Sequence, residues 1–84
     1  MNELIQEMVD WFEKRSDEYN VWFTCNDHNA FVCKKFIRTN GGAKEAIDIY
    51  VFDTHPNGHV VWFNTMGFKG NIESYAEFLQ RFDV

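Results

Sequence analysis

Apolar residues recur at helical spacing at both ends of this chain and at strand spacing between them. Near the start, Leu4, Ile5, Met8, Val9, Trp11 and Phe12 fall on one face of a 3.6-residue repeat, behind Asn2 as an N-cap with Glu3 just inside it. This predicts a helix over about 2–17. Near the end, Ile72, Tyr75, Ala76, Leu79 and Phe82 repeat the pattern with Asn71 as the cap, which predicts a second helix over 72–82.

Four runs between them, near 20–25, 30–38, 46–53 and 59–66, are rich in Val, Ile, Phe, Trp and Tyr and read as strands. The breaks NDHN, TNGGAK and HPNG are short, which favours antiparallel hairpins. The expected fold is a single α+β domain over 1–84: an N-terminal helix, a four-stranded antiparallel meander and a C-terminal helix, with the helices mainly on one sheet face.

Turn chemistry sets the strand register. In HPNGH, Pro56 suits the first central position of a type I turn, Asn57 the second, and Gly58 the left-handed position after them. His55 then faces His59, Asp53 faces Val61, Phe52 faces Trp62, Val51 faces Phe63 and Ile49 faces Thr65. A four-residue NDHN loop pairs Cys25 with Ala30. These registers sort the apolar residues into two faces. One is mainly aliphatic and carries Val21, Phe23, Cys25, Val32, Phe36, Ile47, Ile49, Val51, Val61 and Phe63. The other is aromatic and carries Trp22, Phe31, Tyr50, Phe52 and Trp62. Lys34 and Lys35 disturb the alternation, which calls for a bulge there or for an edge where Lys34 can snorkel.

The aliphatic face is the expected seat of both helices. The aromatic face is then left without a cover, as an interaction surface for another protein or for a second copy of the chain.

Charge adds a second surface. The net charge is −5, with six acids in residues 1–20, among them Glu3, Glu7 and Asp10 on the first helix. Residues 30–44 carry Lys34, Lys35, Arg38 and Lys44 and no acid. An acidic helical face steers toward a basic partner, including a protein that itself binds nucleic acid. The overall acidity and the absence of an RNA-sheet signature argue against direct nucleic-acid binding. The start of the chain lacks a basic n-region and an apolar h-region, no run approaches the ~20 apolar residues needed to cross a bilayer, and the expected location is the cytoplasm.

Candidate chemistry is sparse. Cys25, His28 and Cys33, with His55 and His59, are potential metal ligands that gather near one end of the sheet, and their spacing matches no zinc pattern. The preferred register sends Cys25 and Cys33 to opposite faces, where they cannot bridge. Asp48 and Asp53 have opposite parity on one strand and do not converge as an acid–base pair. Ser16 and Ser74 lack a nucleophile-elbow context. TNGGAK lacks the GK[ST] of a phosphate loop.

The expected protein is therefore a small acidic, non-enzymatic binding module without a cofactor. It suits an inhibitor or adaptor, including the phage type that blocks a host or defence factor. The contact residues are Trp22, Phe31, Tyr50, Phe52 and Trp62, with Glu3, Glu7 and Asp10 on the helix. The alternatives are a zinc-binding protein using the Cys/His group and a single-strand nucleic-acid binder stacking bases on the aromatic face.

Overall fold

The two helices lie side by side on one face of an antiparallel sheet. A computed structural model describes residues 3–25, 27 and 29–82. The order is α1 (Glu3–Glu13), β1 (Tyr19–Cys25), β2 (Ala30–Arg38), β3 (Lys44–Thr54), β4 (Val60–Asn64), β5 (Lys69–Glu73) and α2 (Tyr75–Phe82). The strands follow one another across the sheet as β1-β2-β3-β4-β5, so each is hydrogen-bonded to its neighbour in sequence. The α+β meander expected from the pattern is present, with five strands rather than four.

The HPNGH hairpin folds as its turn residues dictate. The N–H of Gly58 donates to the carbonyl of His55 at 2.9 Å, the N–H of His55 donates to the carbonyl of His59 at 2.8 Å, and Gly58 has φ 86. Gly supplies that left-handed conformation without a Cβ clash. Phe52 pairs with Trp62 and Val51 with Phe63. Cys25 pairs with Ala30 across the first hairpin.

The extra strand is Lys69–Glu73, where the pattern had predicted the start of a helix. The α2 cap is Ser74, not Asn71. Glu77 N–H donates to Ser74 Oγ at 3.2 Å, and Ser74 N–H donates back to Glu77 Oε1 at 3.2 Å. This reciprocal capping box is spelled by Ser74-Tyr75-Ala76-Glu77. The bond from the Ser74 backbone also holds the Glu77 carboxyl below its ordinary pKa. The first helix is shorter than expected and gives way to turns over residues 14–18. Its expected cap, Asn2, lies outside the described residues.

The core joins Ile5, Met8, Val9 and Phe12 of α1 to Phe78 and Phe82 of α2 and to Phe31, Cys33, Phe52, Val60 and Trp62 of the sheet. Phe12 is its hub. Its ring lies 4.8 Å from that of Tyr19, 5.1 Å from Phe52, 5.8 Å from Phe82, 5.9 Å from Phe78 and 6.0 Å from Phe31, mostly edge-to-face. These are the separations and tilts at which ring quadrupoles attract.

Candidate interaction surface

The aromatic sheet face is the covered one, and the expectation that it would be open is corrected. Phe31, Phe52 and Trp62 are buried and Tyr50 is half-buried, all against the helices. The physical reason is size. An aromatic side chain buries more area than Val or Ile, so the face rich in rings gains more from a cover. The rings on the helices also need ring partners: Phe82 meets Tyr50 at 5.2 Å and Trp62 at 5.9 Å, and Phe78 meets Phe52 at 5.8 Å. Of the five aromatic residues expected to bind a partner, only Trp22 is well exposed.

The other face is open. Val32, Ile49, Val51, Val61 and Phe63 line its centre, and Ile72 extends it onto β5. Phe63 is 43% exposed and Ile72 58%. Gly70 lets Phe63 lie flat across β5, since a Cβ there would come within 3.0 Å of the Phe63 ring and of the Trp62 carbonyl.

Two bulges shape this face. On β1, Val21 pairs with Cys33 and Phe23 with Val32, so Trp22 is an extra residue. The bulge carries Trp22 away from the aromatic face. Its ring sits beside Phe23 at 5.6 Å and beneath Lys34 Nζ at 3.8 Å, and it is 58% exposed. Between β2 and β3, Lys35 pairs with Asp48 and Phe36 with Ala46, which makes Ile47 the extra residue. The break in alternation expected at Lys34 and Lys35 is thus absorbed by the facing strand, while Lys34 rests on the edge tryptophan.

The β4–β5 turn adds an apolar tip. Phe68 is 83% exposed and has φ 52, a conformation that bulky residues rarely hold. Buried Asn64 fixes the turn: its Oδ1 accepts from Met66 N–H at 3.1 Å, and its Nδ2 donates to Asp48 Oδ1 at 2.7 Å. The sequence carried no signal for this role, because Asn64 read only as a strand residue.

The acidic residues Glu3, Glu7 and Asp10 are exposed on α1, as expected. They lie on the outer side of the helix layer, away from the open sheet face. The molecule therefore offers two separate surfaces rather than one composite patch. No helix among the described residues is long and apolar enough to cross a membrane.

A polar cleft of about 330 Å³ lies at one end of the aromatic face, floored by Tyr19, Tyr50 and Trp62 and edged by Lys35, Lys69 and Arg81. Two carboxylates outside its lining hold the lining residues by hydrogen bonds. Buried Glu73 accepts from Trp62 Nε1 at 3.0 Å, from Asn71 Nδ2 at 3.1 Å and from Arg81 Nη2 at 2.9 Å. Asp48 accepts from Asn64 and, at 3.4 Å, from the Tyr50 hydroxyl. Burial, with the nearby acids, pushes the hydroxyls of Tyr19 and Tyr50 up to about 12. Trp62, Asn64, Tyr50 and Arg81 are thus held from behind the cleft, and its phenols are not ionised near neutral pH.

Among the described residues, the Cys/His candidates do not converge on a metal site. Cys33 is buried in the core, where desolvation raises its thiol to about 12. Cys25 is half-buried at the end of β1, and both cysteines are free thiols. His55 and His59 flank the hairpin turn. The Asn57 amide N–H lies 3.4 Å from His55 Nδ1, and His59 N–H donates to Asn57 Oδ1 at 3.0 Å. His28 lies outside the described residues. Among the described residues, no three His, Cys, Asp or Glu side chains are placed to hold a metal ion. In comparisons with known proteins, no family model, no curated protein and no solved structure matches this chain.

Proposed function

We propose that this chain is a small acidic, non-enzymatic protein-binding module that acts as an inhibitor or adaptor in the cytoplasm. Its contact surface is the open sheet face, with Trp22, Phe23, Phe63 and Ile72 as anchors and Phe68 projecting beside them. One observation carries this reading: a five-stranded sheet is covered on one side only, and the uncovered side presents large apolar residues. Contiguous exposed apolar patches mark interaction sites, and aromatic residues at the centre of such patches carry most of the binding energy. The acidic side of α1 supplies a field that favours basic partners and speeds their approach.

The test is affinity capture from cells with immobilised wild-type chain and the variant Phe63→Glu/Ile72→Glu. A partner held by the wild type and lost from the folded variant supports the reading. Equal capture by both overturns it. Reversing Glu3, Glu7 and Asp10 to Lys is expected to slow association with the same partner and flatten its salt dependence, while dissociation stays unchanged.

A further inference from the structure

We infer that the open sheet face is the interface of a homodimer, in which two copies pack sheet against sheet with the helices outward. This rests on the reading of that face as a binding surface and names its occupant.

Area is the first argument. At ~3.3 Å per residue along a strand and ~4.8 Å between strands, five strands of 5 to 11 residues present a footprint of about 600 Å². Two such faces total about 1,200 Å², the lower limit of a standard specific interface. Packed sheets lie ~10 Å apart, a separation that side chains of Val, Ile and Phe size fill from both sides.

Charge is the second. The chain carries −5, yet the acids of α1 lie on the layer turned away from the open face. Face-to-face packing therefore sets the two acidic layers on opposite outer sides of the dimer. Among the described residues, the central part of the face carries two charges, and they are opposite in sign. Lys34 pairs across the sheet with Ile49, two residues before Val51, and Asp53 lies two residues after it. A twofold axis crossing β3 at Val51 exchanges the two ends of the face. It brings Lys34 of each copy toward Asp53 of the other, as the self-complementarity of an isologous interface requires.

The sheet edges supply the third. The Trp22 bulge interrupts the pairing pattern of β1, and β5 is only five residues long. Bulged and short edges resist strand addition. Self-association of this sheet is thereby directed to its face.

Sedimentation equilibrium from low micromolar to several hundred micromolar tests the inference. The wild type is expected to reach twice its 10.0 kDa mass. Val51→Lys is expected to raise the dissociation constant by about 30-fold or more, the effect of losing a central anchor, with the circular dichroism of the fold retained. Lys34→Asp is expected to weaken the dimer, and adding Asp53→Lys to restore it. A wild type that is monomeric throughout, a dimer indifferent to Val51→Lys, or a charge swap that fails to restore association overturns the inference. If the monomer's Trp22 fluorescence is instead quenched by a single-stranded oligonucleotide in a salt-dependent way, the face belongs to nucleic acid. If the monomer still captures a protein that Phe63→Glu/Ile72→Glu releases, the dimer fails and the binding module stands.

Discussion

The two faces of this sheet carry nearly equal stocks of apolar residues and have opposite fates. Phe31, Phe52 and Trp62 disappear beneath the helices, while Val51, Phe63 and Ile72 meet solvent. Hydrophobicity alone does not separate them. What separates them is ring chemistry. The helices bring Phe12, Phe78 and Phe82, and these interlock edge-to-face with Phe31 and Phe52 of one sheet face. The aliphatic face offers no comparable fit. A small domain with two helices can cover one side of a sheet, and it covers the side where each contact buries most.

The comparison is broken most violently at the hub. Phe12→Ala removes a ring that touches both helices and the sheet, and is expected to cost about 3–5 kcal/mol. In a domain of this size that is most of the stability, so urea titration is expected to show little folded protein at 37 °C. Trp62→Ala follows, because it opens a core cavity and removes the indole donor from buried Glu73. The expected loss is again about 3–5 kcal/mol, and Trp62→Phe, which keeps the ring and loses the donor, is expected to lose roughly 1–3 kcal/mol.

Alkali should act on the covered face and spare the open one. Tyr19, Tyr50 and Cys33 lie on the helix side, and burial raises each from its ordinary value of 10.0 or 9.0 to about 12. A raised acid group is neutral in the folded chain at pH values where the unfolded chain already ionises. Its contribution is whole below about pH 9 and is lost as pH rises toward 12. Thermal melts are therefore expected to fall steadily above pH 9, and Tyr50→Phe to soften that decline. A melting temperature that is flat from pH 9 to 11 would refute this.

Ser74→Ala is a milder probe. It removes the capping box of α2 and is expected to cost about 1 kcal/mol, without altering exchange protection in β1 and β2. Smallest of all is Val51→Thr on the open face, where the stability of the monomer is expected to change by less than about 0.5 kcal/mol.

Local rules made much of this fold legible. The 3.6-residue stripe of α1, the proline, asparagine and glycine of the HPNGH turn and the pairing of Cys25 with Ala30 each depend on neighbours in sequence. Two features were hidden for different reasons. The strand Lys69–Glu73 contains Gly70 and one large apolar residue, Ile72, so it lacks strand-like alternation, and Asn71 imitated a cap. The true signal, Ser74 with Glu77 three residues on, is present in the sequence, but Asn71 stands before it with the same capping chemistry. The choice of covered face was hidden more deeply. It depends on how rings from α1 and α2 meet rings from β2, β3 and β4, which no local window contains. The Trp22 bulge compounded this by moving one aromatic residue across the sheet. The acidic residues of α1 were legible as exposed from helical spacing alone, whereas the open face emerges only after the three-dimensional packing is known.

The most direct measurement is a pair of thermal melts at low micromolar concentration, one for Phe52→Ser and one for Phe63→Ser. The substitutions are chemically identical, sit on adjacent strands and point to opposite faces. Phe52→Ser is expected to lower the melting temperature by roughly 15 °C or more, or to abolish the transition, since 1 kcal/mol is worth about 4–8 °C in a domain of this size. Phe63→Ser is expected to stay within a few degrees of the wild type. If Phe63→Ser proves the more damaging of the two, the helices cover the aliphatic face and the assignment of the open surface is wrong.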